Sequence, residues 1–155
     1  MSINRVKHYF QSLGIEDRIL EFDSSSATVA LAAQALHCEE KRIAKTLSFH
    51  VDDKVILIVM AGDVKIDNAK YKAQFHKKAK MLAYDETEEL IGHQVGGVCP
   101  FAVNDGVETY LDISLKRFET VFLACGSAHS AIELSPFELE KYSHSLGWID
   151  VCKKP

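Results

Sequence analysis

The chain has 155 residues, 47% hydrophobic and 26% charged, with a formal charge of −4 at pH 7. This length and balance describe one globular domain that can bury a core without disulfides or metals, and they exclude a disordered or fibrous chain. No apolar run approaches the ~20 residues of a membrane span, the N-terminal MSINRVKHYF has no secretory apolar core, and the expected location is cytoplasmic.

Ile3, Val6, Phe10 and Leu13 recur at helical spacing and Gly14 follows, which predicts a helix over 3–13. RILEF (18–22) reads as a short strand. Ser24, Ser25 and Ser26 are N-cap candidates for a helix over 28–36, whose alanines allow close packing. KTLSFHV (45–51) and KVILIVMA (54–61), joined by Asp52-Asp53, predict a hairpin. The second of these is apolar almost throughout, which predicts a central strand buried on both faces.

Asp67 is placed to cap a helix running to about Lys77, and Asp85 with Glu88 reads as a capping box for a short helix ending near His93. Strands are expected near 100–103, 107–112, 119–124 and 131–134. Ser135-Pro136-x-Glu138 starts a last helix that ends before Gly147, and WIDV (148–151) is the last expected strand. With no repeat and no linker, residues 1–155 read as one α/β domain with a mixed sheet and irregular strand order.

Several residues break these patterns. Strand alternation puts Lys45 on the apolar face of 45–51, with Leu47, Phe49 and Val51. A lysine there either snorkels to water or waits at a pocket for an anion. Ala61-Gly62-Asp63 ends the buried strand abruptly, as a turn or as the edge of a site. Gln94–Val103 holds Gly96, Gly97 and Pro100 within five positions, more than a simple connection needs, yet it matches no phosphate-loop motif.

Cys38, Cys99, Cys125 and Cys152 are widely spaced, with no CxxC pair, so reduced thiols are expected. Cys99 with His129 as base would make a thiol hydrolase, but no helix N-terminus or cation is predicted beside Cys99 to activate it. His129 lies in a polar link, Cys125 to Ser130, and Asp105 and Asp112 follow the glycine loop. From Lys65 to Lys80 there are six lysines against one acid, Asp67. Such a run is either a solvated helix face or a nucleic-acid contact.

The ordered set resembles the YbaK family of aminoacyl-tRNA editing domains, also found inserted in bacterial prolyl-tRNA synthetases. It comprises Ile43-Ala44-Lys45-Thr46-Leu47, Ala61-Gly62-Asp63 running to Ile66-Asp67, Gly96-Gly97-Val98-Cys99-Pro100-Phe101, Asp112 with Ser114-Leu115, and Gly126-Ser127 before Ser135-Pro136. It covers about Ser26 to Val151. The resemblance implies a mostly antiparallel, partly barrel-like mixed sheet surrounded by helices. It implies a stand-alone hydrolase that removes a wrongly attached amino acid from tRNA, typically tRNA for proline, with no cofactor and no metal.

On the same ground the catalytic set is Lys45, which holds the 3'-terminal nucleotide and its phosphate, with Gly96, Gly97 and His129. The substrate-binding set is Thr46, Gly62, Asp63, Lys65, Val98, Pro100, Asp112, Gly126 and Ser127. The implied partners are the aminoacyl end and acceptor stem of mischarged tRNA, and prolyl-tRNA synthetase. A non-catalytic tRNA- or nucleotide-binding module is the alternative. One departure is local: family members often carry two arginines where Val64-Lys65 stands here.

Overall fold

The computed structural model describes residues 2–155. Helix α1 (Ser2–Ser12) buries Val6 and Phe10, the inward stripe of its apolar spacing. A 3-10 turn at Glu16–Arg18 shortens the expected strand over 18–22 to β1 (Leu20–Glu21). Helix α2 (Val29–Leu36) is capped by Thr28, whose hydroxyl accepts from the Leu31 N–H at 3.1 Å. The three serines stand too early in the chain to reach those first amides. Ser26 bonds the Ala128 carbonyl instead.

Strands β2 (Ala44–Val51) and β3 (Lys54–Ala61) form the expected hairpin, turning at Asp52 in left-handed backbone. β4 (Lys65–Ile66) follows, then α3 (Asn68–Phe75), capped by the Asp67 carboxylate on the Ala69 and Lys70 amides. In α4 (Tyr84–Ile91) the helix starts earlier than Asp85: Glu86, not Glu88, reaches back to the Ala83 N–H at 2.8 Å. β5 (Glu108–Asp112), β6 (Val121–Leu123) and β7 (Ser130–Leu134) come next. Then α5 (Pro136–Tyr142) starts at the Ser135/Glu138 capping box, and β8 (Trp148–Ile149) and β9 (Cys152–Lys153) close the chain.

The expected strand near 100–103 does not form. Ala102 adopts left-handed backbone, while Cys99, Pro100 and Phe101 are buried. A short apolar run marks burial, and a buried loop satisfies it as well as a strand does. The expected last strand also divides. β8 belongs to one sheet and β9 to another, with the Val151 N–H between them bonded to the Asp112 carboxylate at 2.9 Å.

β3 is central, as its composition predicts: it pairs antiparallel with β2 and parallel with β5, and β8 extends that sheet. Ile56 to Ala61 are at most 2% exposed. β1, β7 and β6 form a second, antiparallel sheet, and β4 pairs with β9. A parallel bridge between Ile43 and Phe122 joins the two larger sheets. The result is a mixed, mostly antiparallel arrangement that curves but does not close into a barrel among the described residues. Rings from α1, α3 and the loop fill the core: Phe10 on Phe101 with centroids 4.8 Å apart, and Phe49 on Tyr71 at 5.2 Å. Each fully buried side chain of this size contributes about 1.5–3 kcal/mol.

Candidate active site

Beyond the Ile43–Phe122 bridge a cleft of about 420 Å³ separates β2 from β6. Its floor and walls are residues 44–48 of β2, 122–124 of β6 and its continuation, the Ser26–Val29 approach to α2, α4, and the glycine loop at Gly96 and Val98. A more open hollow along α1, past Arg5, His8 and Tyr9, holds none of the candidate catalytic or substrate-binding residues named from the sequence.

β2 meets the cleft with an edge that is paired at Ser48 and His50 but has no backbone partner at Thr46 among the described residues. The Ser48 carbonyl accepts from the Leu82 N–H at 3.2 Å, and the His50 N–H donates to the Lys80 carbonyl at 2.8 Å. Even-numbered residues of β2 therefore turn their backbone groups away from β3. By the same alternation Thr46, between the bridge at Ile43 and the contact at Ser48, presents its N–H and C=O to the cleft.

Lys45 lies on the face of Leu47 and Phe49, paired across the hairpin with Met60, and is half-buried. Burial is the chief reason that its ammonium sits below the ordinary lysine range; Lys65 pushes it down further, while Cys152 and Asp63 oppose this. Asp63 is not free to neutralise it, because Arg117 holds that carboxylate at 2.6 Å. Lys45 is the sole charged side chain among the described residues that line the cleft. The rest are apolar groups, hydroxyls of Ser26, Thr28, Thr46, Ser48, Tyr84, Thr87 and Ser130, and the backbone of the glycine loop.

The loop is held from behind. Gly96 has φ +94°, a conformation that favours glycine, with Ala27 and Ala128 on either side. Gly97 is buried, and a Cβ there would collide with the Gly126–Ser127 backbone. Its carbonyl accepts from the Gly126 N–H at 3.0 Å. The Ser127 hydroxyl donates to the Ser130 hydroxyl at 2.9 Å, and Ser130 lines the cleft.

The structure thus brings Lys45, Thr46, Gly96 and Val98 together in the cleft, with Gly97, Gly126 and Ser127 directly behind. The other singled-out residues stand apart. Gly62 packs against the Glu40 carbonyl and Val29, and Pro100 is buried. Asp112 is a structural acid, accepting from the Ser114 and Val151 amides at 2.9 Å each. Lys65 is exposed on β4. His129 is exposed, and its Nδ1 donates to the Ser24 carbonyl at 3.0 Å.

Cys99 does not face the cleft. It is 0% exposed, its Sγ 3.5 Å from His93 Nε2, and burial pushes the thiol up to about 12. His93 bonds the Phe101 carbonyl at 2.6 Å and is itself pushed down by burial. The Cys99–His129 pairing is therefore not formed: each residue has other partners, and a buried thiol without a nearby cation stays protonated.

Sequence reasoning missed Ser48, Thr87, Ser130, Met81, Tyr84 and Val95 as cleft residues. One signal was available. Thr46, Ser48 and His50 alternate as a polar row opposite Lys45, which marks a strand face turned to something other than core.

A family model for the aminoacyl-tRNA editing domain matches residues 23–142. YwhH of Bacillus subtilis (strain 168), itself uncharacterized, is 53% identical over 154 residues, 99% of this chain and 98% of that protein. A proline–tRNA ligase of Bacillus cereus (strain AH820) is 30% identical over 78 residues, 50% of this chain but 14% of the ligase, so the match is to a small part of that enzyme. The crystal structure of a candidate trans-editing enzyme for prolyl tRNA synthetase superposes with a TM-score of 0.88 at 26% identity, covering 99% of this chain and 98% of that one. The hypothetical protein APE2540 superposes at 0.85 with 28% identity, covering 96% and 99%.

Proposed function

The chain belongs to the aminoacyl-tRNA editing domain family, and we propose that it is a deacylase that acts in trans on mischarged tRNA, most typically tRNA for proline. One observation carries the reading: among the described residues, a half-buried cation without a salt bridge is the sole charge in a cleft otherwise lined by apolar groups, hydroxyls and backbone. No Cys, His, Asp or Glu lines that cleft among the described residues.

An aminoacyl ester is reactive enough that positioning a water and excluding bulk solvent suffices, without a covalent nucleophile. The water oxygen adds to the ester carbonyl, the carbonyl oxygen takes up negative charge, and the ribose oxygen then leaves with the proton that water gave up. The products are the free amino acid and tRNA with its terminal hydroxyl restored. In this scheme the Lys45 ammonium holds the phosphate of the terminal nucleotide. Backbone groups of Gly96–Val98 and the free edge of Thr46 hold the aminoacyl end and the water, since peptide groups do not titrate and are already oriented. The Gly97–Gly126 bond and the Ser127–Ser130 contact keep that loop in place, and His129 orients the Ser24–Thr28 wall. Gly62 and Asp63 shape the turn below Lys45, while Pro100 and Asp112 act through the fold. Lys65 and the lysines after it follow the acceptor stem, cytoplasmic tRNA being the substrate and prolyl-tRNA synthetase a docking partner.

That no Cys, His, Asp or Glu lines the cleft among the described residues also favours a second reading, a module that holds tRNA or a nucleotide without turnover. Purified protein with a panel of mischarged tRNAs separates the two. Release of free amino acid from at least one of them, lost in Lys45→Ala at unchanged melting temperature, supports the deacylase. Binding without release from any member overturns it.

A further inference from the structure

Tyr84 is 80% exposed, Met81 54% and Val95 43%, and all three stand at the rim of the cleft. Large apolar side chains left in water around one opening mark a surface that meets a ligand. The backbone under Tyr84 is nevertheless firmly placed. Glu86 accepts from the Ala83 N–H at 2.8 Å and from His50 Nε2 at 2.7 Å, the Thr87 hydroxyl donates to the Ala83 carbonyl at 2.9 Å, and Ile91 is fully buried at the helix end. A fixed Cα with a free ring is a preformed platform.

The cleft then offers an aromatic face at its rim, hydroxyls and backbone groups within, and one cation, Lys45. The Leu82–Ser48 bond ties the rim to β2, and three residues of strand, about 10 Å, separate Ser48 from Lys45. A ligand that uses all of these carries a π-face, an anion and a polar reactive centre, which is the make-up of an aminoacylated nucleotide. A free amino acid would leave the ring unused. We propose that Tyr84 is the stacking platform for the base of the 3'-terminal nucleotide, with Met81 beside it. This rests on the deacylase reading for the identity of the nucleotide. Tyr84 is a positioning residue, because it acts on the base and not on the ester.

The trinucleotide CCA is the probe, since it requires no turnover. Its addition is expected to shift the Tyr84 ring protons upfield, and Tyr84→Ala to weaken its binding about 5- to 100-fold, the range of base–aromatic stacking. Tyr84→Phe and Tyr84→Trp keep the ring and are expected to bind CCA within about twofold of wild type. On mischarged tRNA, Tyr84→Ala is expected to raise KM by a similar factor and to leave kcat within about twofold. CCA binding unchanged in Tyr84→Ala overturns the platform, as does a loss in Tyr84→Phe equal to that in Tyr84→Ala. Absence of turnover by the wild-type protein on every mischarged tRNA overturns the deacylase reading alone, and the CCA measurements still decide the platform.

Discussion

Gly126 donates its backbone N–H to the Gly97 carbonyl at 3.0 Å, and the side chain that Gly97 lacks would occupy the space of the Gly126–Ser127 peptide. Two segments far apart in the chain therefore touch backbone to backbone behind the cleft. Gly97→Ala forces them apart, an overpacking that costs about 1–3 kcal/mol. The expected outcome is a lower melting temperature together with loss of deacylation. Gly106→Ala is the control: it has open space at Cβ but a φ of +89°, so it carries backbone strain without the collision. Equal stability and equal activity in the two variants would show that the contact is not what shapes the loop.

Lys45 separates stability from activity. Its folded-state pKa is depressed by burial, so below that depressed value both folded and unfolded chains hold the proton and the folded chain bears the desolvation penalty. As pH rises through the depressed value the folded state loses its proton first, the penalty is relieved, and stability from this group increases up to the unfolded lysine value near ~10.4. Deacylation moves the other way, because a neutral amine does not hold a phosphate. Lys45→Met is expected to melt no lower than wild type while deacylating at less than about a tenth of its rate. Melting temperatures and pH profiles of kcat/KM for the two proteins check both halves.

Acid stability depends on a site far from the cleft. The Arg18 guanidinium at 2.7 Å, helped by the Ser135 N–H, holds the Glu138 carboxyl down to about 2. A depressed carboxylate contributes above its unfolded value, near ~4.3, and that contribution drains away as pH falls toward the folded value. Both side chains are about one-third exposed, so after screening the ion pair contributes no more than about 1 kcal/mol. Glu138→Gln is expected to melt a few degrees lower at pH 7, and the gap from wild type is expected to close on acidification. A gap that persists at low pH would assign the loss to the cap alone.

The lysine run divides by partner. Lys70 is paired with Asp150 at 3.0 Å and Lys77 with Asp52 at 3.2 Å, whereas Lys72 and Lys78 are exposed with no salt bridge among the described residues. Lys72→Ala with Lys78→Ala is expected to weaken tRNA binding and to reduce the slope of log K against log salt by about one for each phosphate that is no longer neutralised. Titrations at several salt concentrations measure this. A slope equal to wild type would make the run a solvated surface, part of it on α3 and part on the segment after it.

Cys99 serves as packing. With the thiol pushed up to about 12 beside His93, it is expected to resist alkylation in the folded protein. Cys99→Ala is expected to cost about 1–2 kcal/mol through the small cavity left behind, with deacylation retained. Loss of turnover in a folded Cys99→Ala protein would restore the thiol to the mechanism.

The local elements were largely legible because their causes lie within a few residues. Asp67 and the Ser135/Glu138 box cap the helices they precede, the Asp52-Asp53 turn closes the hairpin, and the unbroken apolar run of β3 puts it in the middle of its sheet. The misreadings have two origins. Ser24–Ser26 for Thr28, and Glu88 for Glu86, were errors of a turn or less in where a helix begins, set by packing of the whole element. The loop over 100–103 is apolar because Cys99 and Phe101 face the core, a fact that composition does not distinguish from a strand.

For the site, alternation alone placed Lys45 on the buried face of β2, because side-chain direction in a strand is a matter of parity. The ordered set of short motifs was likewise present in the sequence, and with it the family. What only the tertiary structure decided is which groups share the cleft: that β2 and β6 part after Ile43 and Phe122, that Ser48, Thr87 and Ser130 line the gap, that Tyr84 stands at its rim, and that Cys99 is sealed away with His93. Apart from the Cys99–His93 contact, which is local, these meetings join segments separated by tens of residues. They follow from how the sheets curve and how the core packs, and neither is encoded within reach of any local pattern.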